Sequence, residues 1–408
     1  MTRLKDWCII VLFAVGIALP ALRTMVQPGS AIPEFENRFA APAIAVEPGT
    51  IADVPARFEA YWGDRFGFRA TLLRWNSKAK ARWLGVSPSG KVLIGKEGWL
   101  YYTDADRPFT VDELAAWQTA LESRNDWLEK RGVRFLVVVA PSANTIYPEY
   151  LPEAFIRGAG SSRLNQLIAH LGAHSRVSIV DVRENLRSAK VRERVYCRTD
   201  SHWNDRGAFA AYQDIVKALA RWFPALTPLP RAVFEDVAQE QPGGDLATMI
   251  GLRHALREDV LLLKPRFPLR ATSVNPGMTS RKLPPQRVPW AVETGDTSLP
   301  RAVMLRDSFG RALIPFLSEH FQRILYLFTD ELRPPMVEQE RPDVVILEFV
   351  ERRLMGPPPA NPLDLSTEDP GSRVVAPGPV VYSDALLNQY ESRHVTSAPG
   401  AGFRAGAR

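Results

Sequence analysis

Short apolar runs alternate with helical patterns along the chain from about residue 85 to about residue 350. The runs are rich in β-branched residues and bounded by turns, as is typical of parallel strands buried on both faces. They lie at Val133–Ala140, Val177–Val182, Arg301–Leu305, Arg323–Phe328 and Asp343–Phe349. Strands that alternate with helices over this length predict an α/β domain with a parallel central sheet.

Helical periodicity fills the intervals between these runs. Thr110 and Glu113 have the spacing of a capping box, which predicts a helix from there to about Arg131. Asn204 is a preferred N-cap residue, and it precedes apolar positions on one face of a helix that runs to about Trp222. Two further helices are predicted at 162–174 and 309–320.

An apolar run at 7–22 follows Arg3 and Lys5 near the N-terminus. A helix of this length would span about 24 Å, less than the roughly 30 Å of a bilayer core, which suits a signal segment or a short anchor. Cleavage after Ala21 would place Leu19 three residues back, so no clean cleavage site is present and an uncleaved anchor is favoured. Because a positive flank stays in the cytoplasm, the sequence predicts a protein on the periplasmic side of the inner membrane, or in the periplasm after cleavage.

Composition divides the chain into four parts. The residues after Leu354 include a Pro-Pro-Pro run and few bulky apolar side chains, which predicts a flexible tail. The predicted parts are an N-terminal anchor or signal segment (1–23), an extended lead-in with an aromatic and helical block (24–84), the α/β domain (85–355, with an insertion at 224–300) and a Pro/Gly-rich tail (356–408).

Charge and cysteine content exclude several classes of function. The net charge is +6, but the arginines are scattered among acidic residues, so no nucleic-acid-binding signature is present. Cys8 lies in the apolar N-terminal run and Cys197 lies far along the chain, so we expect no disulfide. The sequence implies no cofactor and no zinc motif.

Asp200 precedes His202 by two residues, just before a predicted helix. In an extended stretch, side chains at positions i and i+2 point the same way. A carboxylate can then accept a hydrogen bond from the imidazole Nδ1–H, which leaves Nε2 free to act as a general base.

Ser308 falls where a predicted strand ends and a predicted helix begins. Parallel sheets build their sites at the carboxyl ends of strands, and free N–H groups at a helix start can hold an oxyanion. A serine nucleophile needs a base, and His202 alone among the six histidines has a carboxylate two residues before it. These residues predict a catalytic triad of Ser308, His202 and Asp200.

Simpler interpretations of the same residues stay open. An isolated Asp-x-His is common in structural turns, and a serine after a strand is often only an N-cap. Asp200 and His202 could instead bind a metal ion, although no third ligand lies at a useful spacing. We expect Asp307 to order the turn before Ser308, and Trp203 to pack in the core.

The segment Thr199-Asp-Ser-His-Trp-Asn204, together with the later Asp307-Ser-Phe309 turn, resembles the SGNH hydrolase-like alginate O-acetyltransferase family, the AlgJ/AlgX-like exopolysaccharide acetylation proteins. The resemblance covers roughly residues 34–354. Other blocks occur in the same order at Glu36–Arg38, Phe58–Arg69, Gly95–Tyr102, Ala140–Pro152 and Gly243–Leu246. Two departures stand out: Arg306 replaces a glycine that is frequent before the serine, and Ser142-Ala143 replaces an Asp-Lys pair.

This resemblance implies a three-layer SGNH-like (flavodoxin-like) fold with Ser308 as the nucleophile and Asp200 and His202 as the Asp-His pair. It also implies transfer of an acetyl group to hydroxyls of an exported polysaccharide, with a membrane-bound O-acyltransferase partner as the acetyl donor. Two alternatives remain. The same triad would serve a carbohydrate esterase that uses water as acceptor, and the protein could be a non-catalytic assembly factor for polysaccharide export.

Overall fold

The computed structural model describes residues 2–26, 36, 40–44, 51–103, 107–156, 162–276 and 287–360. Asn37 and Arg38 of the first motif block, and residues 361–408 of the predicted tail, lie outside the described residues. The helices are α1 (Thr2–Val26), α2 (Val54–Arg65), α3 (Arg69–Trp83), α4 (Val111–Glu129), α5 (Ala143–Ile146), α6 (Glu153–Ile156), α7 (Arg163–His174), α8 (Arg183–Lys190), α9 (Asp205–Leu219), α10 (Asp245–Met249), α11 (Ile314–Leu317) and α12 (Pro334–Glu340). The strands are β1 (Val92–Ile94), β2 (Leu100–Tyr102), β3 (Arg134–Ala140), β4 (Ser178–Val180), β5 (Phe234–Pro242), β6 (Arg257–Pro265), β7 (Thr272–Val274), β8 (Trp290–Glu293), β9 (Arg301–Arg306), β10 (Arg323–Phe328) and β11 (Val344–Val350).

The five predicted apolar runs form the parallel part of a seven-stranded sheet with the order β4-β3-β11-β9-β10-β8-β7. All four pairs from β4 to β10 are parallel. Strands β8 and β7 come from the segment 224–300, and they extend one side of the sheet in antiparallel pairing. The predicted parallel sheet is therefore confirmed, with an antiparallel extension that the apolar pattern did not reveal.

Helices cover both faces of this sheet, because alternate residues of each central strand point to opposite sides. In β3, Leu136 and Val138 pack in the cluster that contains α8 and α9. Val137 and Val139 pack in the cluster that contains α4, α7 and α12. The result is the three-layer α/β arrangement that the family resemblance implied.

The capping residues start their helices as predicted. The Thr110 hydroxyl accepts a hydrogen bond from the Glu113 backbone N–H at 3.2 Å, and the Glu113 carboxylate accepts one from the Thr110 N–H at 3.0 Å. Asn204 Oδ1 accepts hydrogen bonds from the backbone N–H groups of Arg206 and Gly207, both at 3.1 Å. Both pairs of contacts satisfy N–H groups that a helix start leaves without partners.

The prediction of one continuous helix over 309–320 is wrong. Phe309–Leu313 and Ser318–His320 form 3-10 turns, and only Ile314–Leu317 is α-helical. Pro315 lies in the first turn of α11 and has no backbone N–H. An α-helix that began at Phe309 would need that N–H for its hydrogen-bond ladder, so the α-helical part begins only at Ile314.

At the N-terminus, the segment Lys5–Val26 of α1 has 22 residues and is long and apolar enough to cross a membrane. Its length of about 33 Å exceeds the 24 Å expected from the apolar run, because the helix continues through residues on both flanks. Both a signal segment and an anchor fit such a helix. The corner between α2 and α3 packs on the end of α1, where the Gly67 N–H donates a hydrogen bond to Thr24 Oγ1 at 2.8 Å.

Candidate active site

The loop 195–204 enters α9 and carries the predicted Asp-His pair. Tyr196 and Trp203 form an isolated antiparallel bridge that closes this loop. The Tyr196 hydroxyl donates to the Pro141 carbonyl at 2.6 Å, and the Val195 N–H donates to the Tyr147 hydroxyl at 2.9 Å. The Ala140–Pro152 block that follows β3 therefore holds the start of this loop through two hydrogen bonds.

Asp200 and His202 meet through a bend and not through an extended stretch, which corrects the predicted local conformation. Asp200 Oδ1 lies 2.6 Å from His202 Nδ1 and also accepts the His202 backbone N–H at 3.0 Å. This second contact is an Asx turn, in which a carboxylate bonds the backbone two residues ahead. The turn therefore brings the carboxylate to the imidazole.

Ser308 lies two residues after the end of β9, and its Oγ lies 2.8 Å from His202 Nε2. The Phe309 ring packs against the His202 ring with their centroids 4.6 Å apart. Trp203 Nε1 donates to the Phe309 carbonyl at 3.1 Å, so the buried indole joins the histidine loop to the serine turn. The structure thus brings Ser308, His202 and Asp200 into one hydrogen-bonded row, with each side chain half-buried.

Electrostatics hold Asp200 ionised and His202 basic. Burial disfavours the Asp200 carboxylate, but the facing imidazole and several hydrogen bonds outweigh burial and lower its pKa to about 2. Burial also disfavours a charged His202, yet the Asp200 charge and hydrogen bond raise the pKa of His202 above its usual value. An imidazole with a raised pKa is a stronger proton acceptor, which suits a general base.

A second carboxylate, Asp245 at the start of α10, is a site residue that the sequence analysis gave no role. Its Oδ2 lies 3.7 Å from His202 Nδ1, and its backbone N–H donates to Asp200 Oδ2 at 3.0 Å. Ser201 donates to both of its carboxylate oxygens, through the backbone N–H at 2.7 Å and the hydroxyl at 2.5 Å. Burial, followed by the nearby Asp200 charge, raises the pKa of Asp245 to about 6. The Gly243–Leu246 block was the available signal for it.

Gly244 makes this arrangement possible. A Cβ at position 244 would overlap the Asp200 side chain, so only glycine lets α10 approach the carboxylate. The Gly244 N–H donates to Thr199 Oγ1 at 3.1 Å, and Thr199 Oγ1 donates in turn to Glu258 at 2.7 Å. The segment 224–300 thereby supplies the outer wall of the histidine loop.

Asp200, His202 and Asp245 together could hold a metal ion, and the third carboxylate comes from a part of the chain that sequence spacing did not indicate. The distances favour a hydrogen-bonded pair. His202 Nδ1 and Asp200 Oδ1 are 2.6 Å apart, whereas two ligands of one tetrahedral zinc ion lie roughly 3.3 Å apart. Both oxygens of Asp245 also accept hydrogen bonds from Ser201.

The turn before Ser308 is ordered by Asp307, as predicted. Its Oδ1 accepts the Phe309 N–H at 2.8 Å and its Oδ2 accepts the Val350 N–H at 2.7 Å. The Phe309 N–H is therefore not free for an oxyanion, contrary to the simple expectation for a helix start.

Arg306, at the position where relatives often have glycine, is buried and donates to the Asp307 carbonyl at 3.0 Å. Burial, followed by the Asp307 charge, raises the pKa of the adjacent Glu348 well above its usual value.

Arg352 supplies positive charge beside the candidate triad. Its guanidinium carbon lies 5.4 Å from the Tyr102 ring centroid and 5.5 Å from the Phe309 ring centroid. Its charge lowers the pKa of His202 and so partly offsets the effect of Asp200. Arg352 follows β11 at the same sheet edge as Ser308, but no sequence motif pointed to it.

Comparisons with known proteins agree with the fold. Residues 92–281 match the family described as the SGNH hydrolase-like domain of the acetyltransferase AlgX. A probable alginate O-acetylase AlgJ of Pseudomonas syringae pv. tomato is 28% identical over 163 residues, which are 40% of this chain and 41% of that protein. The corresponding protein of Pseudomonas fluorescens is 24% identical over 277 residues, which are 64% of this chain and 68% of that protein.

The solved structure of Bacillus cereus PatB1 shares the fold, with a TM-score of 0.51 and 17% identity, over 65% of this chain and 97% of that one. The chain spans about two fifths of the length of the first of these curated relatives. The matches identify the fold as SGNH hydrolase-like α/β. The resemblance to the AlgJ/AlgX-like acetyltransferase family is confirmed, and the family-model match ends at residue 281, before Ser308.

Proposed function

We propose that this protein is a periplasm-facing O-acetyltransferase that moves an acetyl group, through an ester on Ser308, to hydroxyls of an exported polysaccharide. The observation that carries the proposal is the row Ser308–His202–Asp200, with contacts of 2.8 Å and 2.6 Å, in a chain similar to alginate O-acetylases. The polysaccharide acceptor and the membrane-bound O-acyltransferase donor come from the resemblance. Anchoring by α1 at the inner membrane is part of the same proposal.

In the first half-reaction, Ser308 Oγ attacks the acetyl carbonyl carbon while His202 Nε2 takes the hydroxyl proton. The donor's leaving group departs with that proton, and acetyl-Ser308 remains. In the second half-reaction, a sugar hydroxyl attacks the serine ester and gives its proton to His202, which returns it to Ser308 Oγ. Asp200 stays ionised and stabilises the imidazolium in both halves. The nearby Arg352 charge would favour negative charge that develops on the acetyl oxygen.

The decisive experiment replaces Ser308 by Ala and follows an aryl acetate with a soluble oligosaccharide acceptor. The variant should lose turnover by several powers of ten, and wild-type protein should yield an acetylated Ser308 peptide by mass spectrometry. Ser298→Ala, at an exposed serine bonded to Asp296, is the matched control. If Ser308→Ala keeps substantial activity, Ser308 is not the nucleophile.

Two further readouts address the alternatives. Acetate as the only product, with acceptor present in excess, would favour a carbohydrate esterase, whereas a non-catalytic assembly factor would turn over neither ester nor acceptor. A chelator should leave the rate unchanged. A loss that a divalent metal restores would instead assign Asp200, His202 and Asp245 to a metal site.

A further inference from the structure

Helix α3 exposes an apolar stripe to solvent. Leu72, Trp75 and Trp83 fall on one face of α3, and the exposed Phe68 directly precedes the helix as its N-cap. Leu72 is 51% exposed, Trp75 71% and Trp83 79%. Two tryptophans and a leucine on one exposed face are unusual for a surface in contact with water only.

The same helix is strongly basic. Between Arg69 and Trp83 it carries five basic residues and no acidic one. Arg69 is paired with Glu36, whereas Arg74, Lys78 and Arg82 are exposed beside the apolar stripe. A helix with an apolar face that contains tryptophan, flanked by lysine and arginine, is typical of helices that lie in the interface of a membrane with anionic lipids.

The position of α3 relative to α1 adds an independent argument. Gly67, just before α3, donates to Thr24 Oγ1 at 2.8 Å, and a Cβ at Gly67 would overlap the Pro20 carbonyl and the Arg23 side chain. Pro20 and Thr24 are buried at this contact, whereas most of α1 is exposed. The α2–α3 corner therefore packs on the end of α1 at which a membrane-spanning helix would leave the bilayer on the outer side.

We propose that α3 lies in the outer interface of the membrane that α1 crosses, with Leu72, Trp75 and Trp83 at the boundary of headgroups and acyl chains. This inference rests on the proposed anchoring by α1, and it adds a second contact with the bilayer. The flanking lysine and arginine side chains would bind phosphate groups of anionic lipids. With α1 and α3 both attached, the α/β domain stays close to the membrane surface.

The test uses the full-length protein in nanodiscs of mixed anionic and zwitterionic phospholipid. A nitroxide is attached at position 72 or 75, in Leu72→Cys or Trp75→Cys, in a background with Cys8→Ser and Cys197→Ala. At both positions we expect the label to collide several-fold more with oxygen, which partitions into lipid, than with a water-soluble nickel chelate. Lys78→Cys, on the polar flank of the same helix, is the matched control and should show the reverse order.

Two results would overturn the inference. Labels at 72 and 75 that are open to the nickel chelate would place the stripe in water. Labels shielded from both reagents would show that protein covers the stripe, for example a second copy of the chain. A nitroxide on Cys8 alone, which is exposed on α1, separates this failure from failure of the proposed anchoring. If the label on Cys8 is in lipid while the labels at positions 72 and 75 are in water, α1 anchors the protein but α3 does not contact the bilayer.

Discussion

Two carboxylates whose ionisation differs face Nδ1 of His202. Asp200 holds Nδ1 at 2.6 Å and has a pKa of about 2, whereas Asp245 lies at 3.7 Å and has a pKa of about 6. Because two buried carboxylates this close repel each other, one ionises easily and the other with difficulty. We infer that Asp200 orients the imidazole and that the Asp245 charge helps to raise the pKa of His202.

Asp200→Asn should reduce kcat/KM on an aryl acetate less than His202→Ala does. The asparagine can still accept a hydrogen bond from Nδ1–H, but it no longer stabilises the imidazolium, whereas the alanine variant has no base. His202→Ala should therefore cost several powers of ten. Asp236→Asn, an exposed carboxylate paired with Arg206 and Arg231, serves as the control. Full activity in both site variants would make the segment structural.

Asp245→Asn should shift the acid limb of the kcat/KM profile to lower pH. Above a pH of about 6 the Asp245 carboxylate is ionised, and its charge helps to raise the pKa of His202. Removal of that charge lowers the pKa of His202, so the neutral imidazole persists to lower pH. Steady-state rates on an aryl acetate across the acid limb measure the shift. An unmoved limb would show that Asp245 does not act on His202.

Asp245→Asn should also change how the stability of the protein depends on pH. The folded-state pKa of Asp245 is raised, so the folded protein loses stability as pH rises from about 4 to about 6. Asp245→Asn should therefore raise the free energy of unfolding at neutral pH by on the order of 3 kcal/mol, less if its hydrogen bonds with Ser201 weaken. The gain should vanish below pH ~4, where the carboxyl is protonated in both states. Denaturant unfolding at the two pH values measures it.

At the scale of elements, α10 and the histidine loop form a single packed unit. The Asp245 N–H and the Ala247 N–H donate to Asp200 and Thr199 at 3.0 Å and 3.1 Å, so the helix start holds the loop directly. Glu258 in β6 accepts further hydrogen bonds from the backbone of the same loop. Displacement of α10 should therefore move the imidazole as well.

Gly244→Ala tests this coupling. The added Cβ would overlap the Asp200 side chain, so either α10 or the loop must shift. We expect a large loss of kcat/KM with only a small fall in the melting temperature, because a small displacement of Asp200 misaligns His202. Gly172→Ala in α7, where nothing lies within 4 Å of the new Cβ, is the matched control and should keep both properties. Equal activity in the two variants would contradict the coupling.

The sequence predicted the parallel strands and the proximity of Asp200 to His202 because both depend on short-range patterns. Strands buried on both faces leave apolar runs, and a carboxylate two residues before an imidazole can reach it in more than one backbone conformation. The bend itself was missed because the spacing of the two residues does not distinguish a bend from an extended stretch. Asp245 was missed because it lies 45 residues after Asp200, and its contact depends on how α10 packs.

The interruption of the helix over 309–320 shows a different limit. The apolar positions of this segment fit a helical period, although Pro315 lies inside it. In the structure, Phe309 and Leu313 are fully buried against α9 and the sheet, so tertiary packing fixes their positions. A local period cannot distinguish successive short helical turns from one α-helix when both bury the same side chains.

At the scale of the whole molecule, the attachment to the membrane and the chemistry should be separable. The candidate triad lies on the α/β domain, at the carboxyl ends of β9 and β11, whereas α1 contacts the α2–α3 corner. An anchor would raise the effective concentration of a membrane-bound donor near the site without any tight contact between the two proteins. It would make no difference to a soluble ester.

Two basic residues before the apolar run and only Arg23 directly after it predict that the α/β domain faces the periplasm. A reporter that is active only in the periplasm should therefore work when fused after Leu354, and a cytoplasmic reporter at the same point should be silent. Deletion of residues 1–23 behind a cleavable signal should preserve hydrolysis of soluble esters but sharply reduce polysaccharide acetylation in cells. An unrelated single-span helix in place of residues 1–23 should restore much of that acetylation. If the released protein acetylates the polymer as well as the anchored one, the N-terminal segment serves export alone.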